Sequence, residues 1–158
     1  HIHRTSQLCI YLCFFGTYYL MNEAFITRSI LKYFTENNYE IIQCIPPGAQ
    51  GSLNFLVKNK NIYPDFICFK EGIFLIGESK PKYDESDEKK LFNLSEENNL
   101  TLNSERILKN YLNANNLEIS NIEKIIFFLG FASDEERRSD QFDNYLVNPE
   151  GNVTVLKN

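Results

Sequence analysis

The chain reads as a single α/β domain, and three observations predict it. Apolar residues recur at helical spacing through Phe25, Ile26, Ile30, Tyr33 and Phe34. Two β-rich runs, Tyr63 to Lys70 and Ile73 to Lys80, flank a Glu71-Gly72 pair that reads as a two-residue hairpin loop. Ile122 to Gly130 is a continuous apolar run, as expected of a strand buried on both faces. With 158 residues, 43% hydrophobic and 14% aromatic, the chain can fill one packed core and does not have the composition of a disordered segment.

The elements follow in order. Residues 1–20 stand apart: the chain opens on His1, and Leu8 to Leu20 is mostly apolar but shorter than the about 20 residues of a membrane-spanning helix. No small-residue cleavage site follows it. It is read as an N-terminal extension to a domain spanning 21–158, with a targeting signal or an ordinary extra element as alternatives. The first helix carries Glu23 on the side of Ile26 and Ile30 and stops at Asn37-Asn38. Glu40 to Ile45 reads as a strand ended by Pro46-Pro47, and Gly48 to Gly51 as a plain turn without P-loop spacing. After the hairpin, Ser86 is placed to begin a helix with an acidic first turn. Ser95 to Asn103 reads as a loop, and a helix capped by Ser104 is expected to reach Asn115. Glu135 to Arg138 suits a solvated helix face, and Tyr145 to Val147 with Val153 to Leu156 suits a closing hairpin.

The hairpin carries acid where a sheet interior should be apolar. If Glu71 and Gly72 form the loop, Lys70 pairs with Ile73, Phe69 with Phe74, and Asp65 falls opposite Glu78. Opposed residues share a face with Cβ atoms roughly 5 Å apart, and Lys80 lies two residues beyond Glu78 on that face. Carboxylates this close raise each other's pKa unless a cation sits between them, and an unpaired buried carboxylate costs on the order of several kcal/mol. A hard divalent cation resolves both problems. The plainer alternative is a surface salt bridge between Lys80 and one of the acids.

Pro64-Asp65, followed after Phe66 to Gly77 by Glu78-Ser79-Lys80, resembles the PD-(D/E)xK nuclease superfamily, which includes restriction endonucleases and Holliday-junction resolvases. The likeness covers roughly residues 21–130. It implies a restriction-endonuclease-like αβββαβ core, with a mixed central sheet flanked by helices. It further implies a nuclease that hydrolyses DNA phosphodiester bonds. Asp65 and Glu78 would hold Mg²⁺, with Mn²⁺ able to substitute, and the Ser79 carbonyl would add a ligand. Lys80 would position or deprotonate the attacking water. Glu23 would be a fourth member of the site, unless it only complements the helix dipole. DNA is the expected partner ahead of RNA, and cutting both strands with one site per chain suggests a homodimer or a partner subunit. The competing readings are a non-catalytic nucleic-acid-binding or assembly module retaining the fold, and an unrelated α/β domain.

Composition narrows the chemistry. The only histidines are His1 and His3, so histidine triads and zinc sites built on histidine are excluded within 21–158. Cys44 and Cys68 fall on strands as small hydrophobes, and with no zinc-ligand spacing the default is a reduced, cytoplasmic protein without a membrane segment. The net charge of −5 argues against a generic basic nucleic-acid wrapper. Lys58, Lys60, Lys70, Lys80, Lys82, Lys89 and Lys90 gather near the proposed site in sequence, but acids are interspersed among them. That reads as a mixed surface rather than a basic patch.

Overall fold

Asn22 starts the first helix by accepting the Phe25 N–H on its side-chain oxygen, which satisfies one of the free donors at a helix N-terminus. The computed structural model describes residues 21–51, 53–96, 106, 109–116 and 123–158. The expectations for residues 1–20, the Ser104 cap and Ile122 lie outside them, as does the expected Ser95–Asn103 loop from residue 97 on; its first two residues, Ser95 and Glu96, are helical instead. Helix α1, Glu23–Glu36, buries Ile26, Ile30 and Phe34. It ends where Asn38 turns left-handed at φ 63°, a conformation that asparagine tolerates well.

Strand β1 (Glu40–Cys44) follows, then a short hairpin of β2 (Phe55–Val57) and β3 (Lys60–Ile62). Next come β4 (Phe66–Lys70) and β5 (Ile73–Ser79), helix α2 (Glu85–Glu96) and helical residues 109–114 (α3). Strands β6 (Lys124–Ala132), β7 (Asp143–Val147) and β8 (Val153–Leu156) complete the fold. The main sheet has the order β1-β4-β5-β6-β7-β8, and among the described residues β2 pairs only with β3. Pairings β5–β6 and β6–β7 are parallel and the rest antiparallel. The protein is therefore mixed α/β, with a mixed six-stranded sheet flanked by helices.

The β4–β5 hairpin has the expected register, from Lys70↔Ile73 to Phe66↔Gly77. Glu71 and Gly72 both have positive φ, 50° and 81°, the pattern of a type I′ turn whose twist matches that of the strands. Alternation along β4 and β5 sends Phe66, Cys68 and Leu75 toward α1, where they meet Ile26, Ile30, Phe34 and Phe128. Ile67, Phe74 and Ile76 face the other way, onto Leu91 and Leu94 of α2 and Leu112 of α3. Phe55 and Val57 enter this second cluster from the small hairpin. Burying each such Phe or Leu side chain contributes about 1.5–3 kcal/mol, so the sheet is held from both sides. Glycine allows the closest approach: a Cβ at Gly77 would clash with the edge of the Phe128 ring, and one at Gly130 would meet Ile30.

Three expectations are corrected. Helix α2 is capped by Asp84, whose Oδ1 accepts the Ser86 N–H at 2.8 Å; Ser86 lies inside the helix. Glu135 to Arg138 form an irregular segment between β6 and β7 rather than a helix face. There Arg137 stacks on Tyr83 and pairs with Glu85, while Arg138 covers Phe131. Strand β6 also runs beyond Gly130, to Ala132.

Candidate active site

The site begins with the hairpin register. One step beyond Phe66↔Gly77, Asp65 stands opposite Glu78 at the C-terminal end of β5. Asp65 is fixed twice: its Oδ2 accepts the Ser79 N–H at 3.0 Å, and its carbonyl accepts the Ile45 N–H at 2.8 Å. The preceding Pro64 carbonyl accepts from Gln43 Nε2 at 2.9 Å. Gln43 also grips both backbone groups of Leu53, accepting its N–H at 2.8 Å and donating to its carbonyl at 3.0 Å. One buried amide beside the β1 irregularity at Ile41/Gln43 thus ties the loop after β1 to the Pro64-Asp65 turn.

Glu78 is 2% exposed. Burial, and then the adjoining Asp65 through a hydrogen bond and its charge, push the Glu78 carboxyl up to about 9; Lys90 offsets this only in part. Lys90, on α2, brings its ammonium to 2.5 Å from Glu78 Oε1 and donates to the Tyr63 carbonyl at 3.1 Å. The approach to Glu78 is poorly directed, so Oε1 makes no aligned hydrogen bond. The anionic form of Glu78 is under-compensated, which is the condition a hard cation relieves.

Lys80 lies near Asp65 and Asp87, but its ion pair is made with another acid. It lies just past the end of β5, and its ammonium pairs with Glu23 on α1 at 3.6 Å, not with Glu78 or Asp65. Both side chains are about one-third exposed, 39% and 33%, so the pair itself contributes little to stability, about 0–1 kcal/mol. Partial burial pulls the Lys80 pKa down, but Asp87, Glu23 and Asp65 outweigh it and raise it above the usual lysine value. Asp87, buried on α2 with Oδ2 unpartnered, is pushed up to about 6, chiefly by burial. Asp65, Glu78, Lys80 and Glu23 therefore meet at one end of the sheet.

Sequence reasoning missed Gln43 and Asp87, and gave Lys90 no role of its own. Asp87 and Lys90 lie three residues apart, beside Leu91 and Leu94 on α2. An acid and a base within an apolar stripe are the signal that could have found them.

Among the described residues, no set of three or more His, Cys, Asp or Glu side chains gathers at metal-binding spacing. The donors present are the Asp65 and Glu78 carboxylates, and Glu78 Oε1 lacks an aligned partner. That set fits Mg²⁺, which commonly takes one or two carboxylates and completes its shell with water and phosphate. Among the described residues the thiols suit no nucleophilic role: burial raises Cys44 to about 11 and raises Cys68 further. Among the described residues no helix is long and apolar enough to cross a membrane. No protein-family model matches the chain, and no curated protein is detectably similar to it.

Proposed function

We propose that this chain is a metal-dependent endonuclease hydrolysing DNA phosphodiester bonds. The observation that carries the proposal is the meeting of Asp65 and Glu78 across the β4–β5 register, with Lys80 beside them. The order of elements supports it. With the β2–β3 hairpin and the helical residues 109–114 of α3 set aside, α1, β1, β4, β5, α2 and β6 follow the αβββαβ order of the PD-(D/E)xK resemblance.

Asp65 and Glu78 would hold the Mg²⁺ ion, together with the Ser79 carbonyl. When bound, the ion supplies Lewis-acid polarisation of the phosphodiester and a more acidic water. The protein's own contribution is positional. The Ser79 N–H and the Gln43 clamp hold Asp65 in place, so its carboxylate needs little reorganisation when the substrate arrives. The carboxylates around Lys80 keep its ammonium protonated, which suits it to offset charge growing on the phosphate rather than to accept a proton. Glu23 acts through Lys80 as a positioning residue.

A second reading, a non-catalytic nucleic-acid-binding module, is favoured by the Lys90 ammonium, which already supplies Glu78 with a cation. The two readings part when the full chain is incubated with Mg²⁺ and linear, single-stranded or four-way-junction DNA, alongside Asp65→Ala. Cleavage that needs the metal and disappears in the variant is the expected result. Binding without cleavage would establish the module, and equal nicking by both proteins would remove Asp65 from the chemistry.

A further inference from the structure

Folding sorts lysines that look scattered along the chain. A groove of about 510 Å³ runs between the β2–β3 hairpin and α2. Lys58 and Lys60 enter it from the hairpin, and Ser86, Lys89, Lys90 and Asn93 from α2. The α2 residues recur at intervals of three and four, so one helix face supplies them all. Among the described residues, no carboxylate lines the groove, although the whole chain carries a net charge of −5. An acidic protein that lines one groove with three exposed lysines, Lys58, Lys60 and Lys89, beside a fourth, Lys90, that pairs with Glu78, has a local field opposite in sign to its overall charge. Lys90 connects this groove to the acid pair: it lines the groove, holds the Tyr63 carbonyl and reaches Glu78.

We propose that this groove is a phosphate track, and that it leads the backbone of a DNA strand to Asp65 and Glu78. The inference rests on the nuclease reading and deepens it by saying how an acidic domain holds its polyanionic substrate. Charge complementarity selects the occupant: Lys58, Lys60 and Lys89 are exposed, and ammonium groups without neighbouring carboxylates suit successive phosphates. Ser86 and Asn93 add neutral polar groups. Nothing in the groove requires base-specific reading, so binding is expected to be strongly salt-dependent and weakly sequence-dependent.

The test is fluorescence anisotropy with labelled duplex and single-stranded DNA across a salt series, using Ca²⁺ in place of Mg²⁺. Lys60→Gln/Lys89→Gln removes two exposed charges, and Lys32→Gln/Lys157→Gln removes two on α1 and beyond β8. The groove variant should bind about tenfold more weakly at low salt, with its log–log salt slope shallower by about two. The control should match the wild type. Thermal melts check that both variants fold. Unchanged affinity and slope in the groove variant overturn the inference, as does a wild type that binds no DNA. Cleavage by the wild type with unaltered binding by Lys60→Gln/Lys89→Gln removes the track and keeps the nuclease. Groove-dependent binding by a wild type that never cuts keeps the track and removes the nuclease.

Discussion

Replacing Glu78 with Gln should stabilise the metal-free protein while abolishing metal-dependent cleavage. The size follows from the environment of the carboxyl. Its pKa stands at about 9 in the folded chain against a reference of 4.5, so over that interval the folded state binds the extra proton. Stability from this group is fully present below pH 4.5, falls as pH rises toward 9, and is flat above. At about 1.4 kcal/mol per pH unit, the cost is under about 1 kcal/mol at pH 5 and about 4–5 kcal/mol at pH 8. Water penetration and relaxation reduce the upper figure, and about 2 kcal/mol at pH 8 is a conservative expectation. Gln keeps the shape and removes the ionisation. Lys90 loses its carboxylate partner but keeps the Tyr63 carbonyl and is 30% exposed. Urea unfolding at pH 5 and pH 8 measures the effect. With a slope of about 2 kcal/mol/M, the variant's midpoint should lie roughly 1 M above the wild type at pH 8 and close to it at pH 5. Mg²⁺ at about a hundred times its dissociation constant should raise the wild type by about 3 kcal/mol and leave the variant unmoved. A variant destabilised by about 3–5 kcal/mol at pH 8 would refute the reasoning, because that is the cost of breaking a buried ion pair. Lys90 would then be holding Glu78 ionised.

Gly77→Ala drives a methyl group against the ring edge of Phe128, which is itself fully buried against Phe34, Phe66 and Tyr145. Overpacking of this kind should cost about 1–3 kcal/mol, and an unchanged melting temperature would show that the ring can move aside. Gln43→Ala strips partners from both backbone groups of Leu53 and from the Pro64 carbonyl. It should cost about 1–3 kcal/mol and speed amide exchange at Leu53 and around Asp65; exchange confined to the wild-type pattern would deny the clamp its role.

The parts legible in the sequence were those fixed by local spacing. Glu71-Gly72 defined its own turn, and one count outward brought Asp65 to Glu78. The Ile26–Ile30–Phe34 stripe and the apolar run of β6 were readable for the same reason. The β2–β3 hairpin was not. Its strands are three residues each, Leu56 is 64% exposed, and Lys58-Asn59 turns left-handed without a glycine to announce it. The Lys80–Glu23 ion pair was not legible, because alternation holds only within a strand and Ser79 is the last residue of β5. Lys90 and Asp87 depend on where α2 docks, which no local pattern specifies. The lysine groove was hidden in the same way, since acids adjacent in sequence point elsewhere after folding.

The small hairpin also bears on how such a domain can diversify. Strands β2 and β3 form no ladder with the six-stranded sheet; Phe55 and Val57 anchor them from one side, and Gln43 pins the chain that leads in. A surface excursion attached in this way can lengthen at little cost, because loop-closure entropy grows only slowly with length. Its turn can change without shifting the register that pairs Asp65 with Glu78. The segment between Val57 and Lys60 can therefore be exchanged while the acid pair stays fixed. A library randomised at Lys58 and Asn59 would sample that freedom directly.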